Sequence, residues 1–344
     1  MQGPTWRSGG LAVINISPAD IGRRVTIRHR LPDGQLTDVV GILESWRQTA
    51  TTDDELVVRN RRGEPIRVGH PAIVAARVVA PEVCAWDLQR VAEHGWPPLE
   101  TEPLGEWSLR AAAGVTGRAN SARVTGDPGS DLRTALDRVI AWYARRGLLP
   151  RLQIAQPSGL EHYLADHGWS PYRRTDFLTA ETDVVATGPE LGSHDGAGSA
   201  DVVVEEVDDP TEEWLSVLAD EPRESWSVLK KILTGPTDVA VLAARDRRSD
   251  TILATGRVSA SSSRHAGARW AGITSIATSP HARQRGIATR VSTELARWAS
   301  DRGCERMYLQ VVDTNTPAAA FYRRLSFTVH HTYGYWAHAA EESR

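Results

Sequence analysis

Residues 273–288 read I-T-S-I-A-T-S-P-H-A-R-Q-R-G-I-A. A β-branched run, a proline-bearing turn and a basic loop with one glycine lead directly into an amphipathic segment, 289–302. That order of parts suits an anion, and a pyrophosphate in particular. The first turn of a helix leaves backbone N–H groups without partners and carries the positive end of the macrodipole. Gly286 has no Cβ and lets the backbone approach the anion closely, while Arg283, Arg285 and Arg290 add positive charge. An ordinary strand-to-helix turn with solvated arginines is spelled with the same letters, so the rest of the chain has to decide between the two.

The chain has 344 residues, which implies two or three domains. With 40 basic and 43 acidic residues it lacks the electrostatic footprint of a nucleic-acid binder, and no basic tail stands out. Two cysteines, Cys84 and Cys304, support neither a disulfide framework nor a cysteine-based zinc site. No apolar run approaches the ~20 residues of a membrane span. The opening M-Q-G-P-T-W-R-S-G-G lacks the apolar core of a signal peptide, so a cytoplasmic location is expected.

Residues 12–82 hold five β-branched stretches (24–29, 39–45, 55–59, 65–68 and 73–79) separated by turn signals. Closure removes unpaired edges, so a small SH3-like barrel is expected. Arg59, Arg61, Arg62 and Arg67 would form a basic edge on it, or ordinary solvated charge in a hairpin. The barrel would then serve as a docking module for a protein partner. The proline-rich stretch 83–104, with a short helical piece at 84–94, reads as a connector.

The remainder repeats itself. Residues 132–147 (L-R-T-A-L-D-R-V-I-A-W-Y-A-R-R-G) match 288–303 (A-T-R-V-S-T-E-L-A-R-W-A-S-D-R-G), with Trp142 and Trp298 in register. Each is followed by a strand with a Leu-Gln pair, Leu152-Gln153 and Leu309-Gln310, and later by Gly168-Trp169 or Ser326-Phe327. Two matched units imply an internally duplicated fold. The first copy, 105–182, carries Asp127 and Asp131 where the second has arginines, and such a loop repels a pyrophosphate. A Gly/Ser/Ala-rich linker is expected at 183–200, and the intact copy at 201–338.

In the second copy, the order strand, two helices, three strands, R-x-x-G-x-A loop, helix, strand, helix, strand resembles the GNAT acyltransferase superfamily. So does N-T-P-A-A-A-F-Y-R-R-L-S-F at 315–327. The resemblance implies an α/β (α+β) fold with a mixed sheet flanked by helices, preceded by a degenerate copy and a small all-β barrel. One degenerate and one intact copy is similar in layout to mycothiol synthase. It also implies that acetyl-CoA is held by Arg283, Gln284, Arg285, Gly286, Ile287, Ala288 and Thr289, with Ile276, Ala277 and Thr278 of the preceding strand along its pantetheine arm. Asn315 would lie beside it. Tyr322 would protonate the departing thiolate, a role a phenol within hydrogen-bond reach can fill; the first copy has Leu164 at that position. The activity implied is direct attack by a primary amine of a small molecule or peptide, in a ternary complex. A non-catalytic acyl-CoA sensor is the competing expectation.

Two departures from the family pattern matter. Ser326 stands where glycine is usual, which asks for a local adjustment of the turn. The fourth strand has no acidic general base, leaving water, Asp313, His265, His330 or His331 for proton removal. Tyr333, Tyr335 and Trp336 either line the acceptor pocket or pack in the core, and acceptor specificity is expected mainly from 214–233.

Overall fold

The computed structural model describes residues 13–47, 55–60, 64–79, 83–188, 201–218, 222–262 and 268–338. It divides into two units, Met1–Val83 and Cys84–Arg344. Among the described residues no helix is long and apolar enough to cross a membrane.

The first unit is built from alternation. In Arg24–Arg30, Val25, Ile27 and His29 point inward while their neighbours are more exposed, and the middle of Leu36–Arg47 follows the same two-residue period. Its strands are β1 (Val13–Asn15), β2 (Arg24–Arg30), β3 (Leu36–Arg47), β4 (Glu55–Asn60), β5 (Pro65–Gly69) and β6 (Ile73–Val78). They form one six-stranded sheet in the order β1-β6-β2-β3-β4-β5. The expected closed five-stranded barrel is therefore corrected. A short sixth strand pairs in parallel with β6, and the terminal strands β1 and β5 are not bonded to each other. The long β3 carries a bulge between Leu43 and Ser45, which bends it over a core of Val25, Ile27, Leu43, Leu56 and Val58. Nor do the arginines expected as a basic edge stand alone: Arg59 is paired with Glu44 and Arg67 with Glu55 at 2.7 Å. Arg61 and Arg62 lie outside the described residues.

The second unit begins with α1 (Ala85–Gly95), β7 (Glu100–Leu104), β8 (Trp107–Ala111), β9 (Ala122–Val124), α2 (Leu132–Ala144), β10 (Arg151–Gln156), α3 (Glu161–Asp166) and β11 (Trp169–Glu181). A short helix, α4 (Thr182–Thr187), follows. Then come β12 (Val202–Val207), α5 (Glu212–Leu218), α6 (Trp226–Thr234), β13 (Val239–Asp246), β14 (Ile252–Ser262), β15 (Arg269–Thr278), α7 (Ile287–Asp301), β16 (Arg306–Val312), α8 (Thr316–Arg324) and β17 (Thr328–His338).

All eleven strands join one sheet, in the order β12-β13-β14-β15-β16-β11-β17-β10-β9-β8-β7. The copies exchange their last strands. Thus β11 of the first copy pairs with β16 of the second, and β17 of the second pairs with β10 of the first. Two stretches read as connecting chain are part of this body. Within 83–104, α1 packs on β14 and β15 and β7 is the outer strand of the sheet. Proline at 103 is tolerated there because an edge strand leaves one row of N–H groups unused. At 183–200, residues 183–187 belong to α4, packed on α7 with Val185 buried, and 189–200 lie outside the described residues.

Strand alternation sorts the faces. Ala240, Leu242 and Ala244 join the cluster under α7, while Val241 and Ala243 join the one under α5 and α6 together with Trp96. Gly256 lets α7 lie close to β14, since a Cβ there would sit 2.4 Å from Val291 Cγ1. The α7 side is almost wholly apolar, whereas the opposite side carries Arg257, Gln310, Tyr333, Gln153 and Arg110.

Candidate active site

Strands β15 and β16 run parallel and pair only at Trp270–Arg306, Ala271–Met307 and Gly272–Tyr308. Beyond that point they separate. At the last pair a Cβ on residue 272 would lie 2.3 Å from Tyr308 Cζ, so the phenol ring crosses the glycine there. Residues 273, 274, 277 and 278 of β15 keep their pairing with β14, and 273–278 have no strand partner on the β16 side. Ile276, Ala277 and Thr278, all half-buried, lie along that opening, beside a bulge in which Ser275 adopts a left-handed φ of 57°.

The chain then makes a helical turn at Pro280–Ala282 and enters α7 through Arg283, Gln284, Arg285 and Gly286. Gln284 (φ 61°) and Gly286 (φ 73°) are left-handed. Gly286 is the N-cap residue, and no side chain caps the helix. The first-turn amides of Ile287, Ala288 and Thr289 therefore have no acceptor among the described residues, and the space where a Cβ of residue 286 would stand is empty to 4 Å. The chain thus offers a diphosphate unclaimed amides, the positive end of a fifteen-residue helix and open room beside them. Of the side chains, Gln284 is exposed, and Arg283 is exposed with its Nε 3.4 Å from Thr278 O. Arg285 is half-buried and within electrostatic reach of Asp246. Ile287 is buried in the core, so only its backbone is on offer. Arg290 turns away from the turn and donates to Val202 O at 3.1 Å.

The matching turn of the first copy is filled from within. Asp131 caps α2, accepting from Thr134 N at 3.0 Å and Thr134 Oγ1 at 2.7 Å, and Asp127 accepts from Gly129 N at 2.7 Å. A carboxylate already occupies the end of the helix dipole.

After β16, Asn315 caps α8, its Oδ1 accepting from Ala318 N at 3.2 Å. Tyr322 lies seven residues on, two turns along, and so on the same face of the helix. Its ring packs edge-on against Phe321 and Phe327, at 5.0 and 5.9 Å, and no hydrogen bond holds its hydroxyl among the described residues. Burial pushes the phenol above its ordinary range, so it is protonated at every working pH. Leu164, the counterpart in α3, is fully buried. Ser326 takes the left-handed turn after α8 with φ 68°, as Gly168 does in the first copy with φ 81°.

The proposed proton acceptors fare differently. Asp313 is exposed, and His265 lies outside the described residues. His331 is fixed at both nitrogens: Gln89 Nε2 lies 2.8 Å from Nε2, and Nδ1 is 2.9 Å from His330 Nδ1. Burial, with His330 beside it, pulls its pKa down to about 3, so it takes up no proton at neutral pH. Tyr333 and Tyr335 share the polar face, with Tyr333 donating to Gln310 Oε1 at 2.9 Å. Trp336 points the other way, into the core under α2. In the stretch expected to set specificity, Trp214, Leu229, Ile232 and Leu233 are core residues.

Sequence reading missed a belt of buried polar residues on the face away from α7. It includes Arg110 and Arg123 of the first copy with Glu93 of α1, and Arg257, Gln310 and Arg118 near the opening of β15 and β16. The repeated Leu-Gln pair was its one visible trace, since Gln153 and Gln310 both belong to the belt.

Residues 86–336 match the family model described as "Probable histone acetyltransferase Rv0428c C-terminal", and residues 19–77 match its N-terminal Sm-like domain. The chain belongs to this GNAT N-acetyltransferase family. Among its relatives is the "Probable histone acetyltransferase Rv0428c" of Mycobacterium tuberculosis, 28% identical over 328 residues, covering 92% of this chain and 95% of that one. A GCN5-related N-acetyltransferase from Kribbella flavida has the same fold, with TM-score 0.57 and 16% identity over 76% of this chain and 98% of its own. So does a tandem GNAT protein from the clavulanic acid biosynthesis pathway, with TM-score 0.52 and 15% identity over 77% of this chain and 90% of its own. The N-terminal strands are thus the Sm-like domain of an N-acetyltransferase, and GNAT acetyltransferases generally use acetyl-CoA.

Proposed function

We propose that the second copy transfers an acyl group, acetyl in the first instance, from coenzyme A to a primary amine by direct attack within a ternary complex. The observation that carries this reading is the pairing of the opened β15–β16 edge with an uncapped α7 N-terminus, found in the second copy and replaced by a carboxylate cap in the first. The amides of 287–289 and the room beside Gly286 receive the pyrophosphate, with Arg283, Arg285 and Gln284 around it. The free backbone edge of 276–278 pairs with the amide-bearing arm as an added strand would. Acetyl-CoA supplies the activated thioester. Asn315 fixes the start of α8, and α8 presents the uncommitted Tyr322 hydroxyl. A phenol with a raised pKa is a weaker acid than an ordinary thiol, so Tyr322 acts first by donating a hydrogen bond to the sulfur as negative charge builds there. His331, held neutral and bonded at both nitrogens, positions β17 and is not the base.

Thiol release from acetyl-CoA against pooled small amines, amino acids, peptides, aminoglycosides and amino sugars tests the reading. Release driven by one class supports it. Acetyl-CoA binding by calorimetry with no release across the panel overturns it and leaves an acyl-CoA sensor.

A further inference from the structure

Arg257 is wholly enclosed in the sheet face opposite α7. Its Nε donates to Leu233 O at 2.6 Å and its Nη1 to Thr274 Oγ1 at 3.3 Å. The remaining nitrogen, Nη2, is buried without a partner. No carboxylate is among the charged neighbours that act on Arg257 within the described residues. Burial, partly opposed by Tyr308 and reinforced by Arg118, pulls its pKa down to about 9, which still leaves a cation at neutral pH.

Gln310 repeats the pattern. Its Oε1 accepts from Arg118 Nη1 and from the Tyr333 hydroxyl, both at 2.9 Å. Two donors on the oxygen fix which way the amide faces, and the buried Nε2 is left with nothing to donate to. Both residues flank the opening described above. Gln310 is two residues past Tyr308, the last residue of β16 paired to β15, and Arg257 is registered with Thr274, two residues past Gly272. The Trp96 ring is near both cations, with Arg118 Cζ at 4.5 Å and Arg257 Cζ at 5.5 Å from its centroid.

The first copy shows how such a cluster is completed. Gln153 there accepts from Arg110 and donates through Nε2 to Gln89 Oε1 at 2.7 Å. The charges of Arg110 and Arg123 are met by Glu93, at 3.5 and 2.5 Å. The second copy has the cation and the glutamine but, among the described residues, no carboxylate paired with them. Buried cations persist when something pairs with them, and buried donors are rarely left empty.

We infer that Arg257 Nη2 and Gln310 Nε2, with Arg118 beside them, receive a carboxylate carried by the acceptor, so that the acceptor is a small amine that is also an acid, of the amino-acid type. Two unfilled donors match the two oxygens of a carboxylate, whereas a phosphate dianion asks for more. Because the donors flank the mouth of the β15–β16 opening, the carboxylate and the attacking amine are close together in the molecule. The inference rests on the acyl-transfer reading.

The test uses the full chain with free amino acids, short peptides with free C-termini, and the C-amidated form of each, read both by shift in Tm and by thiol release from acetyl-CoA. The expected result is that particular free acids raise Tm and drive release about 100-fold better than their amides, as befits a site built to bond a polar group. The peptide arm separates a free amino acid from a chain terminus as the source of the carboxylate. Gln310→Glu, which installs a carboxylate beside Arg118 and in place of the unfilled amide donor, is expected to abolish both responses without lowering Tm of the free protein. Arg257→Met should erase the acid-over-amide preference while acetyl-CoA affinity by calorimetry is kept. Amides that perform as well as acids overturn the carboxylate site and leave acyl transfer standing. Acids that raise Tm while no amine releases thiol keep the site and remove the transferase reading. No response to any acid or amide overturns the site, with Arg257 then satisfied by water.

Discussion

The two copies meet the same physical problem, a helix N-terminus following a β-strand, in opposite ways. In the first, Asp131 turns back onto Thr134 and satisfies α2 with a charge from the chain itself. In the second, Gly286 occupies the cap in a left-handed conformation and provides no side chain at all. A protein that only needed a stable helix would keep the aspartate, because capping contributes to stability and glycine lacks the capping oxygen. Leaving α7 uncapped makes sense where an anion arrives from outside. The buried belt repeats the contrast, with Glu93 of α1 meeting the cations of the first copy and no counterpart facing Arg257 among the described residues.

The strongest way to break this comparison is to give the second turn the first turn's residue. Gly286→Asp places a carboxylate, and a side chain at φ 73°, where the pyrophosphate is expected. Acetyl-CoA affinity measured by calorimetry should fall by about 1,000-fold or more, since juxtaposed like charges cost several kcal/mol. The reciprocal Asp131→Gly should leave that affinity unchanged. Unchanged binding in Gly286→Asp would remove the pyrophosphate from this turn.

A smaller effect is expected at Tyr322. Tyr322→Phe keeps the ring packed on Phe321 and Phe327 and deletes a hydroxyl that holds nothing else. Turnover should drop about 100-fold with acetyl-CoA affinity intact. Equal kcat in the variant would reduce Tyr322 to a packing residue. Leu164→Tyr in the first copy should confer no activity, because the turn that would bring a thioester there is closed by Asp131.

How much of this was legible beforehand follows from what each feature depends on. The α7 turn and α8 were readable because their residues are close in sequence and their spacing is set by one loop and one helix: a glycine cap, an asparagine cap, a phenol two turns on. The repeat was readable because each copy kept its helix-strand-helix order. The strand exchange was not, since β11 and β17 choose partners more than 120 residues away in sequence, as Thr175 does with Val312, and no local pattern encodes that choice. The buried belt was hidden for a related reason. Arg257, Gln310, Arg118 and Trp96 come from four separate elements, and each alone looks like a surface or core residue. The closed barrel was overread: β-branched spacing specifies strands, but whether the outer two meet depends on curvature and on the extra strand Val13–Asn15.

Glu93 sharpens the comparison through stability. Burial works to raise its pKa, but Arg110, Arg123 and its hydrogen bonds outweigh that, and the folded value lies below the ordinary one. Its contribution is then present above the unfolded value of about 4.3 and is lost as pH falls through the lower folded pKa. Glu93→Gln leaves Arg110 and Arg123 without a countercharge and should cost about 3 kcal/mol in urea unfolding at neutral pH. The difference from wild type should shrink on acidification. Arg257→Met, by contrast, removes a cation that has no carboxylate, and should change the stability of the free protein by less than about 1 kcal/mol or raise it. Equal losses at both sites would mean that Arg257 is already compensated.

The smallest effect concerns the turn that ends each signature helix. Gly168 and Ser326 occupy the same left-handed corner, at φ 81° and 68°, and only the second carries a Cβ there. An L-residue with a side chain loses roughly 1 kcal/mol in this conformation relative to glycine, offset in part by the greater freedom of glycine in the unfolded chain. Ser326→Gly should therefore raise stability, by less than about 1 kcal/mol. The exchange is not symmetric. A Cβ at residue 168 would stand 3.1 Å from His338 Nε2, so Gly168→Ser adds a steric contact to the backbone strain and should cost more than Ser326→Gly gains. Urea midpoints of the two variants decide the matter. If Ser326→Gly instead destabilised the protein, the serine hydroxyl would have to be holding the end of α8, and the position of Tyr322 would depend on it.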